Sequence, residues 1–211
     1  FRRVLFRSFN ALVSNVDGFD NTAVGSFAMH EMINGANNIA IGDRALYDAT
    51  STTDMIAIGS YALSSQLSGN GQIAIGAFAL TTSTSSTENI AIGDLALQYT
   101  TSGYSNTVIG YRTMRQLTTG YEYVAVGSRS MEDITTGYEN VAIGDFAASN
   151  LVDGLRSVAI GANALDAATS SSYNFGIGYA ALTNNTSGEF NAAVGYSAMS
   201  DNITGSFNSS F

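Results

Sequence analysis

The 211 residues include no proline, cysteine, tryptophan or lysine, and 17 acidic residues against 8 basic ones give a formal net charge of −9. Without cysteine there is no disulfide framework and no thiolate metal site, and an acidic chain lacks the basic stripe that nucleic acid requires, so nucleic acid is not an expected partner. Only 12% of residues are charged but 45% are apolar, too many for a disordered chain, so the composition fits an ordered β structure rich in small side chains.

In chain order, the head comes first and breaks the pattern that the rest obeys. The run Arg2-Arg3-Val4-Leu5-Phe6-Arg7-Ser8 resembles the translated end of a sequencing adapter. Residues 1–8 are therefore expected to be non-native, and a single repeat domain is expected over 9–211, a piece of a longer array. Setting aside the three arginines of this head moves the net charge from −9 to −12.

From Phe9 onward a 17-residue period runs without insertion or deletion, the kind of internal repeat that decides a fold. Its anchor, position 0, is Gly25, Gly42, Gly59, Gly76, Gly93, Gly110, Gly127, Gly144, Gly161, Gly178 and Gly195. Position −1 is always Ile or Val. Position −2 is alanine in nine units: Ala23, Ala40, Ala57, Ala74, Ala91, Ala125, Ala142, Ala159 and Ala193, with Val108 and Gly176 as exceptions. Position +3 is mostly Ala, +4 mostly Leu or Met, −4 often Asn, and +10 usually a second glycine.

Two glycines per unit among Ser, Thr and Asn break any helix, and 17 residues are too few for a helix pair. The unit instead predicts two short strands, at −4 to −1 and at +2 to +6. Glycine at 0 would provide a sharp bend or positive φ, and the T-[ST]-G segment would turn the chain back. The expected fold is all-β, a parallel β-solenoid (β-roll) of about twelve coils. Coils rising about 4.8 Å each make a rod of roughly 55–60 Å, with like residues stacked in ladders. Alternation puts −3 and −1 on one face of the first strand and −2 on the other. The reading adopted turns −1 inward and −2 outward. The outward alanine column would then be the contact between chains, since small residues let backbones approach. The alternative, −2 in a tight interior and −1 outside, stays open.

The units Asn38-Ile39-Ala40-Ile41-Gly42 and Asn89-Ile90-Ala91-Ile92-Gly93, each followed by x-x-Ala-Leu, resemble the head repeats of YadA-like trimeric autotransporter adhesins. The 17-residue form with A-L and T-T-G is also similar to arrays in phage and bacterial tail-fibre-like proteins. The resemblance covers residues 9–211. It implies left-handed coiling, a homotrimer and surface attachment, on a cell surface or as a virion tail fibre.

Candidates for chemistry are few. His30 is the only histidine, which leaves no triad or His-rich metal site, and it reads as a loop residue at +5. Asp43, Asp94 and Asp145 share +1 but lie three coils apart, roughly 14 Å, beyond the ~5–9.5 Å of a glycosidase carboxylate pair. Glu122 and Glu139 share +12 in adjacent coils and are the one candidate pair. Tyr104, Tyr121 and Tyr138 stack at +11, with Arg112 and Arg129 at +2 in the same region. That strip is a candidate contact for a glycan or a protein receptor on a host surface, or a ladder that stabilises itself. Neighbouring Thr/Ser at +8 and +9 fall on opposite sides of the chain, unlike the flat face of an ice binder. No run of 18 apolar residues is present, so no membrane-crossing helix and no membrane contact by this segment are expected. The expected function is a structural or adhesive fibre segment, a rigid trimeric rod, with no enzyme activity and no cofactor or metal. The alternatives are a tailspike-like glycan-degrading segment and a monomeric ligand- or ice-binding solenoid.

Overall fold

A computed structural model describes the backbone of residues 5–211 and side chains from residue 8 onward. It contains one parallel sheet of thirteen strands in sequential order. The strands are β1 (Leu5–Arg7), β2 (Thr22–Val24), β3 (Ile39–Ile41), β4 (Ile56–Ile58), β5 (Ile73–Ile75), β6 (Ile90–Ile92), β7 (Thr107–Ile109), β8 (Val124–Val126), β9 (Val141–Ile143), β10 (Val158–Ile160), β11 (Phe175–Ile177), β12 (Ala192–Val194) and β13 (Ser209–Ser210). Each strand from β1 to β12 pairs with the residues 17 positions on, as in Ile39↔Ile56, Ala40↔Ala57 and Ile41↔Ile58. This is the expected parallel β-solenoid, one coil per repeat. The ladder also takes in part of the head: Leu5, Phe6 and Arg7 pair with Thr22, Ala23 and Val24. Parallel pairing is made by backbone groups and does not need the repeat's side chains. Residues 1–4 of that head lie outside the described residues.

Two expectations are corrected. The first is the second strand. Each coil has a single regular strand, and the other line of parallel pairing is a column of isolated bridges at +11, such as Tyr104↔Tyr121 and Tyr121↔Tyr138. The segment +2 to +6 is built from turns. Positions +2 and +4 take left-handed φ in coil after coil, for example Arg44 (53°) and Leu46 (51°), Leu95 (62°) and Leu97 (50°). An extended strand cannot hold such values. Two turns in succession result, the first closed by the +3 amide donating to the glycine carbonyl at 0 (Ala45 to Gly42) and the second by the +7 amide donating to +4 (Thr100 to Leu97).

The second correction concerns the alanine column. Ala23, Ala40, Ala57, Ala74, Ala91, Ala125, Ala142, Ala159 and Ala193 are each at most 1% exposed. They face the interior, and the −3 and −1 side chains face out. The coil is too narrow for the reverse. Even at Gly176 a β-carbon would lie 3.6 Å from the side chains of Leu165 and Leu182. A methyl group fills that space, and an isoleucine would clash with the Leu/Met column at +4. The interior is thus a stack of small and medium apolar residues, with −2, +3, +4 and +7 as its layers.

The stacking requires glycine at 0 and favours it at +10, where Thr52, Ser86 and Ser171 stand in three coils. At position 0, φ lies between 130° and 142° throughout. A β-carbon on Gly144 would fall 2.6 Å from the carbonyl of Gly161 in the next coil. At +10 the same crowding recurs, with 2.7 Å from Gly103 to the Gly120 carbonyl. The −4 asparagines seal one corner. Asn89 Nδ2 donates to the Gly103 carbonyl (2.9 Å), and its Oδ1 accepts from both the backbone N–H (3.1 Å) and Nδ2 (2.9 Å) of Asn106. One buried amide therefore ties two coils together, and the pattern passes on to Gly120.

Candidate functional site

The outer surface divides into columns, and the sheet face is the most unusual. Along β2–β12 the −3 and −1 positions supply 22 outward side chains, and none carries a charge. Apart from Thr22, Thr107, Phe175 and Ala192 they are all Ile or Val. Ile41 is 39% exposed and Ile143 38%, high for aliphatic residues in the middle of a sheet. Carboxylates stand on both edges, with Asp43, Asp94 and Asp145 at +1 and Asp54, Glu88, Glu122 and Glu139 at +12. An apolar strip with a polar rim is the anatomy of an interface.

The predicted aromatic strip is present as a stack. Tyr104 and Tyr121 lie 4.9 Å apart with planes 1° from parallel, and Tyr121 and Tyr138 lie 5.2 Å apart at 5°. Burial in the stack, then the adjoining phenols and carboxylates, push the Tyr121 hydroxyl upward. Ring faces are turned toward one another along the rod, so the groups open to solvent are ring edges and hydroxyls. A sugar stacks on an open ring face, which this column does not present. Nor are the two predicted arginines brought to it. Arg112 Nη2 pairs with Glu132 Oε1 at 2.6 Å, and Arg129 lies over the Phe146 ring at 5.3 Å and 3.8 Å from Glu132. These contacts belong to the separate +2/+5 column.

The cation that does meet the tyrosines was not anticipated. Arg156 sits over the Tyr138 ring at 5.4 Å and donates to Glu139 through Nε (2.8 Å) and Nη2 (3.4 Å). Above it Tyr173, Phe190 and Phe207 continue the stack at 4.7 and 5.0 Å. The column shifts from +11 to +12 at this arginine, so its residues do not share one position of the 17-residue repeat. It also engages Glu139, half of the candidate carboxylate pair, in an ion pair whose guanidinium holds that carboxyl below its usual range. His30 is a packing residue, stacked on Tyr47 at 5.1 Å with Nδ1 2.7 Å from Glu31 Oε1. The threonines at +8 serve as coil clamps, each hydroxyl donating to the +8 carbonyl above: Thr101 to Thr118 at 3.1 Å, Thr118 to Thr135 at 2.9 Å. Among the described residues no group of three or more His, Cys, Asp or Glu is arranged to hold a metal ion.

Fold and surface together define a repeat protein of the parallel β-solenoid class. Comparison with known proteins adds no closer relationship: no family model, no curated protein and no solved structure matches the chain.

Proposed function

We propose that this chain is a segment of a rigid homotrimeric fibre, carried on a cell surface or a virion, that spaces or presents an attachment site. The observation that carries the reading is the uncharged Ile/Val face running from β2 to β12. Left in water it would be a large apolar stripe of a kind soluble monomers rarely expose. A second array of the same coil length matches it repeat for repeat, because its side chains recur at the same rise. The reading moves the chain contact from the alanine column to the Ile/Val face, and it agrees with the trimer implied by the adhesin-like motif. A uniform coil with no inserted loop suits a spacer. The tyrosine–Arg156 column would then lie on the outer flank as a stiffening rib.

Sedimentation equilibrium of the chain tests the proposal. The expected species is three times the 22.0 kDa chain mass, and Ile92→Asp, which places a charge in mid-face, should return it to a single chain. A soluble, folded wild-type monomer at micromolar concentration would overturn it.

A further inference from the structure

Two asparagines in this chain precede a glycine, Asn34 before Gly35 and Asn70 before Gly71, and both asparagines are exposed. Such a pair can modify itself. Glycine has no β-carbon to crowd its backbone nitrogen, so that nitrogen can reach the side-chain carbonyl of the asparagine before it. The fold treats the two pairs differently. Asn70 is held: its Oδ1 accepts from Thr53 Oγ1 (3.0 Å), and the Gly71 N–H donates to the Thr53 carbonyl (3.3 Å). Among the described residues, no group hydrogen-bonds the Asn34 side chain or the Gly35 N–H.

We infer that Asn34 is a self-deamidation site, converting to aspartate or isoaspartate in the folded protein while Asn70 is protected. A base takes the Gly35 amide proton, and the nitrogen attacks Asn34 Cγ. Nδ2 leaves as ammonia after taking a proton from water, and a cyclic succinimide remains. Water then opens the ring at either carbonyl, so solvent is the only co-reactant. The repeat has room for the aspartate product, because Asp17-Gly18 and Asp153-Gly154 occupy the same positions, +9 and +10, in two other coils. The new carboxylate would stand one coil from Asp17, about 4.8 Å away, and would add one negative charge to a chain at −9. Isoaspartate lengthens the main chain by a carbon instead. That shifts the Gly35 carbonyl away from the Phe19 N–H (3.3 Å) and Asn21 Nδ2 (2.7 Å), which donate to it from the coil below. The turn therefore records the age of the chain as an added charge and a loosened coil.

The test incubates the chain in mildly alkaline buffer, native and unfolded in urea. Mass spectrometry follows each asparagine–glycine peptide, and enzymatic methylation counts isoaspartate. In urea the two pairs should convert at similar rates. In the native chain Asn34 should convert about tenfold or more faster than Asn70, where two hydrogen bonds must open before Gly71 can attack. Asn34→Gln should remove most of the native signal, and Asn34→Asp should keep the wild-type circular dichroism spectrum. A native chain in which Asn70 converts as fast as Asn34, or in which Asn34 stays intact while converting in urea, would overturn the site. Loss of the β spectrum in Asn34→Asp would overturn the fit of the product.

Discussion

At the scale of single residues, the backbone conformation carries the fold. The left-handed φ at +2 and +4 and the glycines at 0 curl 17 residues into a closed coil, and each glycine from Gly25 to Gly178 sits where the next coil leaves no room for a β-carbon. Gly144→Ala is expected to destabilise the chain by more than about 2 kcal/mol, in the range of severe single substitutions, as measured by urea unfolding. Asn106→Ala removes a buried amide that bridges the coils and leaves the Gly120 carbonyl and the Tyr123 amide unpaired, a loss of about 1–3 kcal/mol. Charge acts at Asp48, whose carboxyl is raised by burial and then by Glu31. A carboxylate held above its unfolded value weakens the fold once it is ionised and ceases to do so as pH falls through the folded value. Asp48→Asn should therefore melt higher than wild type at neutral pH, and the advantage should vanish on acidification. Glu139, lowered by the Arg156 hydrogen bond, has the opposite sign. Its contribution is present above the unfolded value and lost as pH falls through the folded one, so Glu139→Gln should be the less stable form only above that range.

At the scale of the coil, one three-residue strand is enough because every part of the turn also bonds to its neighbours. The +4 amide donates to the +3 carbonyl of the next coil, as from Leu46 to Ala62. Substitutions on the two sides of the strand should separate cleanly. Ala91→Leu forces extra volume into the filled interior and should cost about 1–3 kcal/mol by overpacking. Ile92→Ser, one residue on, should leave the circular dichroism spectrum of the chain intact while weakening its association by sedimentation. The interior also tolerates polarity when it is satisfied. Gln72 Nε2 donates to Gln66 Oε1 (2.8 Å) and to the Ser86 carbonyl (3.0 Å), and its Oε1 accepts from Asn89 (3.1 Å). Position −4 thus stays a coil-to-coil link where asparagine is absent.

At the scale of the molecule, a stack of near-identical coils gains stability from neighbours, and one coil alone has none to bond. The same repetition makes long, uniform surface columns. Because the proposed contact is apolar, assembly should persist in 1 M salt, where exposed charge pairs are screened within about 3 Å. Light scattering across a salt series checks this. A mass that falls with salt would point to the carboxylate rims and arginines instead of the Ile/Val face.

Period, coil length, parallel stacking and both glycine columns were legible in the sequence, because a strict 17-residue repeat leaves one way for equivalent residues to pile up. The tyrosine stack was legible for the same reason. The direction of each face was not. Alternation separates Ile/Val at −3 and −1 from Ala at −2, but both sets are apolar, and hydrophobicity alone favours turning the larger ones inward. Only the width of the closed coil decides otherwise, admitting a methyl group, or at Val108 an isopropyl group, in place of the longer branch of an isoleucine. The turn at +2 to +6 was hidden in the same way, since Leu, Arg and Phe there carry no local preference for left-handed φ and adopt it because the stacked coils on either side require it.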